Sequence, residues 1–392
     1  MKTYLDALGV ACALGVGKDA VAEALFEAAP HGLRPLEGWV PAHSLPLGEV
    51  TAALPAVPAG LEHRDTRNNR LLLLAAQEIE TEIRDAIARF GAARIGVVVG
   101  TSTTGIEEAT RNIAARGKSG AWPDGYRYID QELGAPAAFL AEWLGVSGPC
   151  YGISTACTSG ARALLSARRL LRLGLCDAVI CGGADTLCRL AIHGFHSLEA
   201  TAPGRCLPFS SARRGINIGE GAALFLMTRD EAPVAFLGGG ASSDAYHMSS
   251  PEPDGRGAVE AMRLALDAAG IDPGAIDYVN LHGTATEHND AMESRAVAGT
   301  FARAVPCSST KALTGHTLGA AGALEAAFCW LALRDPHRRL PPHAWDGQPD
   351  PALPPLAFTR VGDTLPPGLR HLMSNSFAFG GNNASLILAG GA

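Results

Sequence analysis

The sequence predicts an α/β fold, and three observations carry that expectation. Short apolar stretches alternate with longer Ala- and Leu-rich stretches along the chain, the pattern of buried strands joined by covering helices. With 392 residues, 47% hydrophobic and only 18% charged, the chain can bury a large core and has no tract polar enough to stay disordered. There is also a weak internal echo. Residues 154–167 (STACTSGARALLSA) and 314–327 (TGHTLGAAGALEAA) both pass from a reactive residue into a small-residue helix. The echo suggests a duplicated α/β unit, with halves at 1–230 and 231–392.

Taken in order, strands are expected at 4–11, 95–99, 178–181, 222–228, 235–239, 278–281, 369–374 and 384–389. Helices are expected at 18–28, 67–89, 137–144, 158–173, 257–269, 290–301 and 318–333. Pro- and Gly-rich stretches at 30–60, 202–215 and 340–368 read as long surface or active-site loops. The apolar start, residues 4–17, imitates a secretory signal with a small-residue site at Ala11-Cys12-Ala13. Asp6 interrupts the run, and a first buried strand with its turn accounts for it better.

Composition excludes several classes. A net charge of −7 argues against wholesale nucleic-acid binding, so an acidic partner needs a local basic patch. No run approaches the ~18 apolar residues of a membrane span. The nine cysteines include no CxxC pair, and an odd number cannot all pair within one chain. Reduced thiols in the cytoplasm are expected. His193 and His196 lack companions at ligand spacing, so no metal site is expected. Gly182-Gly183-Ala184-Asp185 is not a full GxGxxG, so no dinucleotide site is expected either.

The sharpest feature is Ser154-Thr155-Ala156-Cys157-Thr158-Ser159-Gly160, ahead of an amphipathic helix. Cys157 would stand at a helix N-terminus, where unpaired N–H groups favour an anion. A free thiol near pKa 8.5 is only a few per cent ionised at pH 7, and a drop of roughly one to two units makes thiolate a major species. An inert buried cysteine is the other reading. The polar turn and two downstream histidines favour the nucleophile. His282, in NLHGTAT, follows an apolar strand, the usual place for a catalytic group in an α/β protein. His316, in KALTGHT, sits at a turn leading into a helix. Two neutral imidazoles near the thiol can donate hydrogen bonds to a thioester carbonyl becoming an enolate. The turn at Phe379-Gly380-Gly381 can offer an amide to an oxyanion and a ring as a gate, or it is a glycine-rich hairpin with core phenylalanines.

At these residues the chain resembles the elongating β-ketoacyl-ACP synthases of the thiolase-fold superfamily. The resemblance spans nearly the whole chain. It rests on STACTSG, GEGAALFLM at 219–227, SSDAYHMSSPEPDG at 242–255, HGTATEHND at 282–290, KALTGH at 311–316 and SNSFAFGGNN at 374–383. It implies a five-layered αβαβα fold of two similar halves. It also implies decarboxylative Claisen condensation of an enzyme-bound acyl group with malonyl-ACP, in fatty-acid, polyketide or polyene synthesis. By resemblance, Cys157 accepts the acyl group, and His282 and His316 polarise the malonyl thioester. Lys311 supports the histidines together with Glu325. The amides of Cys157 and Phe379 form the oxyanion hole, Phe379 is the gate, and Thr284 and Thr286 bind the pantetheine arm. No cofactor is implied, since substrates ride on the phosphopantetheine arm of acyl carrier protein. The expected partners are that carrier and a second chain, in a homodimer or a heterodimer with a related ketosynthase-like chain.

The chain departs from the family pattern at Ser210, Arg214, Glu287, His288 and Asn382. None removes a catalytic residue, but the pathway and acyl substrate are left open. Arg64, Arg67, Arg70, Arg127, Arg205 and Arg213 are candidates for docking an acidic carrier, or ordinary surface arginines. A non-catalytic chain-length-determining partner would share the fold, but such partners typically lack the cysteine. Thiolases pair one histidine with a second cysteine, which the TGH turn disfavours.

Overall fold

A computed structural model describes residues 2–28 and 32–390. The first half of the chain runs β1 (Thr3–Cys12), β2 (Gly15–Val16), α1 (Lys18–Phe26), β3 (Arg34–Val40), β4 (His43–Leu47), α2 (Arg67–Gln77), α3 (Glu80–Phe90), β5 (Ile95–Gly100), α4 (Ile106–Ser119), α5 (Ala135–Leu144), β6 (Cys150–Ile153), α6 (Ser159–Arg172), β7 (Ala178–Asp185), α7 (Arg189–Ser197) and β8 (Gly221–Thr228). The second runs β9 (Val234–Ser243), α8 (Arg256–Ala269), β10 (Tyr278–Asn280), α9 (Glu287–Thr300), β11 (Pro306–Ser308), α10 (Lys311–Thr314), α11 (Ala321–Arg334), β12 (Ala357–Phe358), β13 (Arg370–Ala378) and β14 (Asn382–Gly390).

The sheet order shows the duplication. One half is ordered β6-β5-β7-β8-β1 and the other β11-β10-β13-β14-β9. In each, the first three strands are parallel and the last two join antiparallel. The halves meet where β1 pairs with β9 at Thr3–Phe236 and Tyr4–Ala235. β5, β7 and β8 are buried on both faces, which explains sequences that stay apolar up to the terminal Asp185 of β7 and Thr228 of β8. Helices α2 and α5 cover one half-sheet, α8 covers the other, and α6 and α11 lie between the two. This is the α-β-α-β-α succession that the resemblance implied.

The two central helices touch closely enough to need glycine. A Cβ on Gly160 would stand 2.7 Å from the Ala323 nitrogen, and one on Gly322 would stand 2.8 Å from that of Ala161. Ahead of each helix, one non-glycine residue takes the left-handed conformation, Ala156 at φ 51° and Leu318 at φ 51°. Ala156 therefore matches Leu318, and Gly160 matches Gly322, two residues further along than the sequence echo aligned them.

Several expectations need correction. The helix expected at 67–89 is two helices, because Ile79 leaves helical geometry (φ −131°) to bury its side chain, and α3 sets off from it. The loop expected at 30–60 contains the β3–β4 hairpin, while residues 30 and 31 lie outside the described residues. β6 and β11, which pair in parallel with β5 and β10, escaped sequence reading because they are only 4 and 3 residues long. The signal-like start is the central strand β1, paired with β8 along its length. Among the described residues no helix is long and apolar enough to cross a membrane. All nine cysteines are free.

Candidate active site

The turn that carries Cys157 is held by hydroxyls. Ser159 Oγ donates to the Ala156 carbonyl (2.6 Å) and accepts from the Thr155 amide (2.9 Å), while Thr158 Oγ1 donates to the Thr155 carbonyl (2.8 Å). Ala156 can then stay at positive φ, and Cys157 is presented just before α6. This explains the small and hydroxylic residues around the cysteine.

His282 follows β10, on a turn cradled by two buried carboxylates of α9. Glu293 accepts from the amides of His282 and Gly283, each at 2.7 Å. Asp290 accepts from the amides of Thr284, Ala285 and Phe209. Burial raises Glu293 to about 8 and Asp290 to about 6, with these hydrogen bonds acting the other way. Sequence reading missed both carboxylates. Their signal was there: acids three apart on one helix face, directly after the HGT turn. His316 is fixed by backbone on both sides, its amide donating to Asn217 (2.7 Å) and its carbonyl accepting from Gly219 (2.9 Å).

The structure brings Cys157, His282 and His316 together. His316 Nε2 lies 3.0 Å from Cys157 Sγ, the two rings stand 5.2 Å apart and nearly perpendicular, and one ligand-type atom from each residue falls within 4.8 Å of the others. The donors behind each ring set the imidazole tautomers. The Leu318 amide donates to His316 Nδ1 (3.3 Å), and Lys311 Nζ lies 3.3 Å from His282 Nδ1. With a donor on each Nδ1, the ring proton of a neutral imidazole belongs on Nε2, so both rings present N–H donors. Burial, with Lys311 next, holds both histidines well below their ordinary pKa, and so neutral. Lys311 also donates to the His282 carbonyl and to Glu325, so its three protons have three acceptors. Burial raises Glu325 to about 7, against Lys311.

The same donors behind the rings argue against a metal here. A histidine that ligates a cation donates its far N–H to an acceptor, whereas Nδ1 of both rings faces a donor and a lysine stands beside them.

Burial pushes the Cys157 thiol up to about 12, with Lys311 the first opposing influence. The sequence expectation of a lowered pKa left out this burial. The start of α6 and the His316 N–H still favour the anion once it forms.

A cavity of about 280 Å³ opens over the three residues, with Phe195, Ile216 and Phe377 on its apolar side. Phe379, 36% exposed, lies 5.5 Å from Phe195 across it. Thr284 and Thr286 line it with their hydroxyls 2.9 Å apart, and so does His288 in the first turn of α9. That turn begins the helix three residues earlier than expected.

Most arginines considered for docking are engaged within the chain. Arg64 pairs with Glu142, Arg70 with Asp65, and Arg213 with Asp350. Arg67 pairs with the fully buried Glu220, and with Arg70 it faces a separate groove. Arg205 donates to the Ala312 carbonyl. Arg127 is exposed, with no ion pair among the described residues.

Known proteins agree with this architecture. Residues 62–232 match the family model for the β-ketoacyl synthase N-terminal domain, and residues 235–344 match that for the C-terminal domain. The chain is 32% identical over 344 residues to 3-oxoacyl-[acyl-carrier-protein] synthase 2 of Staphylococcus aureus, covering 83% of this chain and 84% of that one. It is 33% identical over 338 residues to nodulation protein E of Rhizobium sp. (strain N33), covering 82% and 81%. It superimposes with TM-score 0.93 and 47% identity on a chain from the ketosynthase (ApeO)–chain length factor (ApeC) complex of Xenorhabdus doucetiae, covering 100% of this chain and 98% of that one. A β-ketoacyl synthase from Burkholderia phymatum STM815 gives TM-score 0.88 at 30% identity, covering all of both chains. Matched by both family models and carrying its cysteine and two histidines in one cavity, the chain belongs to the β-ketoacyl synthase family of thiolase-fold condensing enzymes.

Proposed function

We propose that the chain joins an acyl group to malonyl-ACP by decarboxylative condensation, with Cys157 as nucleophile and two imidazole N–H groups as the enolate site. The observation that carries this reading is the convergence of His316 Nε2, a ring nitrogen of His282 and the Cys157 sulfur in one cavity. In the first half-reaction Cys157 attacks the acyl thioester, its proton going to the departing pantetheine thiolate. The Cys157 and Phe379 amides receive the oxyanion. In the second, the malonyl carbon–carbon bond breaks, CO2 leaves, and the electron pair passes into the thioester carbonyl. The resulting enolate oxygen accepts from His282 and His316. The carbanion then attacks the acyl-Cys157 carbonyl, and the cysteine thiolate leaves as the β-ketoacyl product forms.

Lys311 and Glu325 hold His282 in its donor tautomer. Thr284 and Thr286 take the pantetheine arm, and Phe379 gates the acyl chain. No cofactor enters these steps. The carrier docks through exposed basic groups, of which Arg127 is the first candidate. β6, at the end of the sheet, leaves an edge for a second subunit, either another copy or a related ketosynthase-like chain. Nine free thiols fit a cytoplasmic location. The test is CO2 release from malonyl-ACP, read alongside acyl-enzyme mass in Cys157 and histidine variants.

A further inference from the structure

We infer that Asp185 is a positioning residue that keeps His316 in its hydrogen-bond-donating tautomer, an inference that rests on the enolate-site reading above. Asp185 ends β7 and is fully buried. Among the described residues no cation pairs with it, and five hydrogen bonds hold it instead. Its Oδ1 accepts from Thr101 Oγ1 (2.7 Å), the Ser102 amide (2.7 Å), the Thr103 amide (2.9 Å) and Thr103 Oγ1 (2.9 Å). Its Oδ2 accepts only from the Gly319 amide, at 2.6 Å.

That last bond reaches the site. Gly319 follows Leu318, which sits at φ 51°, a conformation that a branched side chain adopts only when its surroundings impose it. In this conformation the Leu318 amide points back at His316 Nδ1. Asp185 holds Gly319, Gly319 holds the turn, and the turn assigns the imidazole proton to Nε2, which faces Cys157 and the cavity. Without the pull on Gly319, Leu318 relaxes toward ordinary φ and its amide swings away. His316 is then free to carry its proton on Nδ1, leaving a lone pair where the enolate needs a donor. The site has no room for a looser arrangement. A Cβ on Gly319 would lie 2.8 Å from Asp185 Oδ2 and 2.7 Å from Ser102 Oγ.

The asymmetry of the five bonds supplies a selective test. In Asp185→Asn the single carbonyl oxygen keeps the four donors of Oδ1, and the amide NH2 then opposes the Gly319 N–H. The variant breaks the link to the His316 turn while leaving the other loop bound. Gly319→Ala attacks the same link from the other side.

Each protein is labelled with ¹⁵N-histidine, and the His316 resonance is identified by its loss in His316→Ala. Nitrogen shifts then report which ring nitrogen carries the proton, and malonyl-carrier decarboxylation is measured in parallel. In the wild type His316 is protonated on Nε2. In both variants we expect a mixture of tautomers and a kcat for CO2 release about 10- to 100-fold lower, the usual cost of losing a partner that orients a histidine. KM for malonyl-carrier should not change. A folded Asp185→Asn or Gly319→Ala protein with the wild-type His316 signature and wild-type CO2 release would overturn the inference. His316→Ala checks the underlying reading separately. Wild-type CO2 release in that variant refutes the enolate site itself, and silence of the Asp185 variants refutes only the positioning role.

Discussion

His316 Nε2 stands 3.0 Å from Cys157 Sγ, joining residues 159 positions apart in the sequence. The contact lies at the seam of the duplicated fold: each residue sits on the turn ahead of one central helix, and the two helices are pressed together at Gly160 and Gly322. Because the imidazole presents an N–H to the sulfur, it favours the thiolate over the thiol. It cannot act as the base that removes the thiol proton.

A pH shift follows from that polarity. The His316 N–H stabilises the charged form of Cys157, so His316→Ala should raise the thiol pKa beyond the already raised value that burial imposes. A higher pKa means less thiolate at any given pH. The rate of Cys157 alkylation by iodoacetamide should therefore climb at higher pH in the variant than in the wild type. Peptide mass mapping must follow Cys157 itself, since Cys150 is exposed and will also react. An alkylation profile that moves to lower pH would contradict the donor assignment.

The Lys311–Glu325 pair makes a stability prediction. Both side chains are almost fully buried, at 2% and 3% exposure; Lys311 donates to Glu325 Oε1, and Oε2 has no partner among the described residues. Lys311→Met strands the carboxylate and should cost about 3–5 kcal/mol. Lys311→Met combined with Glu325→Leu should recover most of that loss by chemical denaturation, while leaving His282 without its tautomer partner and the enzyme slow. A double variant no more stable than Lys311→Met would contradict the account of the pair.

Carrier docking separates two arginines that look alike in sequence. Arg127→Glu should raise KM for the carrier-bound substrate and leave kcat and the pantetheine-thioester reaction unchanged. Arg67→Glu should instead lower the melting temperature, because Glu220 is fully buried and loses its counter-ion. Equal loss with the short thioester in Arg127→Glu would rule out docking there.

Much of this was legible in the sequence because the chemistry is local. The nucleophile turn, both histidine turns and Lys311 each sit in a short motif whose small residues have a structural reason. The strands β5, β7 and β8 are apolar along almost their whole length because both faces are buried. What could not be read depends on distant partners. Asp185 entered only as the end of an incomplete glycine motif, since its five donors come from other segments. Asp290 and Glu293 were given no role, although they bind the turn of His282. Arg64, Arg67 and Arg213 looked free because their carboxylates lie 78, 153 and 137 residues away. The thiolate expectation weighed the helix terminus and left out burial, which a linear sequence does not display.

The central claim, that holding the acyl chain and stabilising the enolate fall to different residues, is tested most directly by labelled CO2 release from malonyl-ACP, measured beside acyl-enzyme mass. Cys157→Gln should form no acyl-enzyme and still decarboxylate malonyl-ACP to acetyl-ACP. His316→Ala should still be acylated at Cys157, and its decarboxylation should fall by about 10²–10³-fold, the usual effect of losing one oxyanion donor. His282→Ala should behave in the same way. A His316→Ala protein that released CO2 at the wild-type rate would contradict the two-donor enolate site.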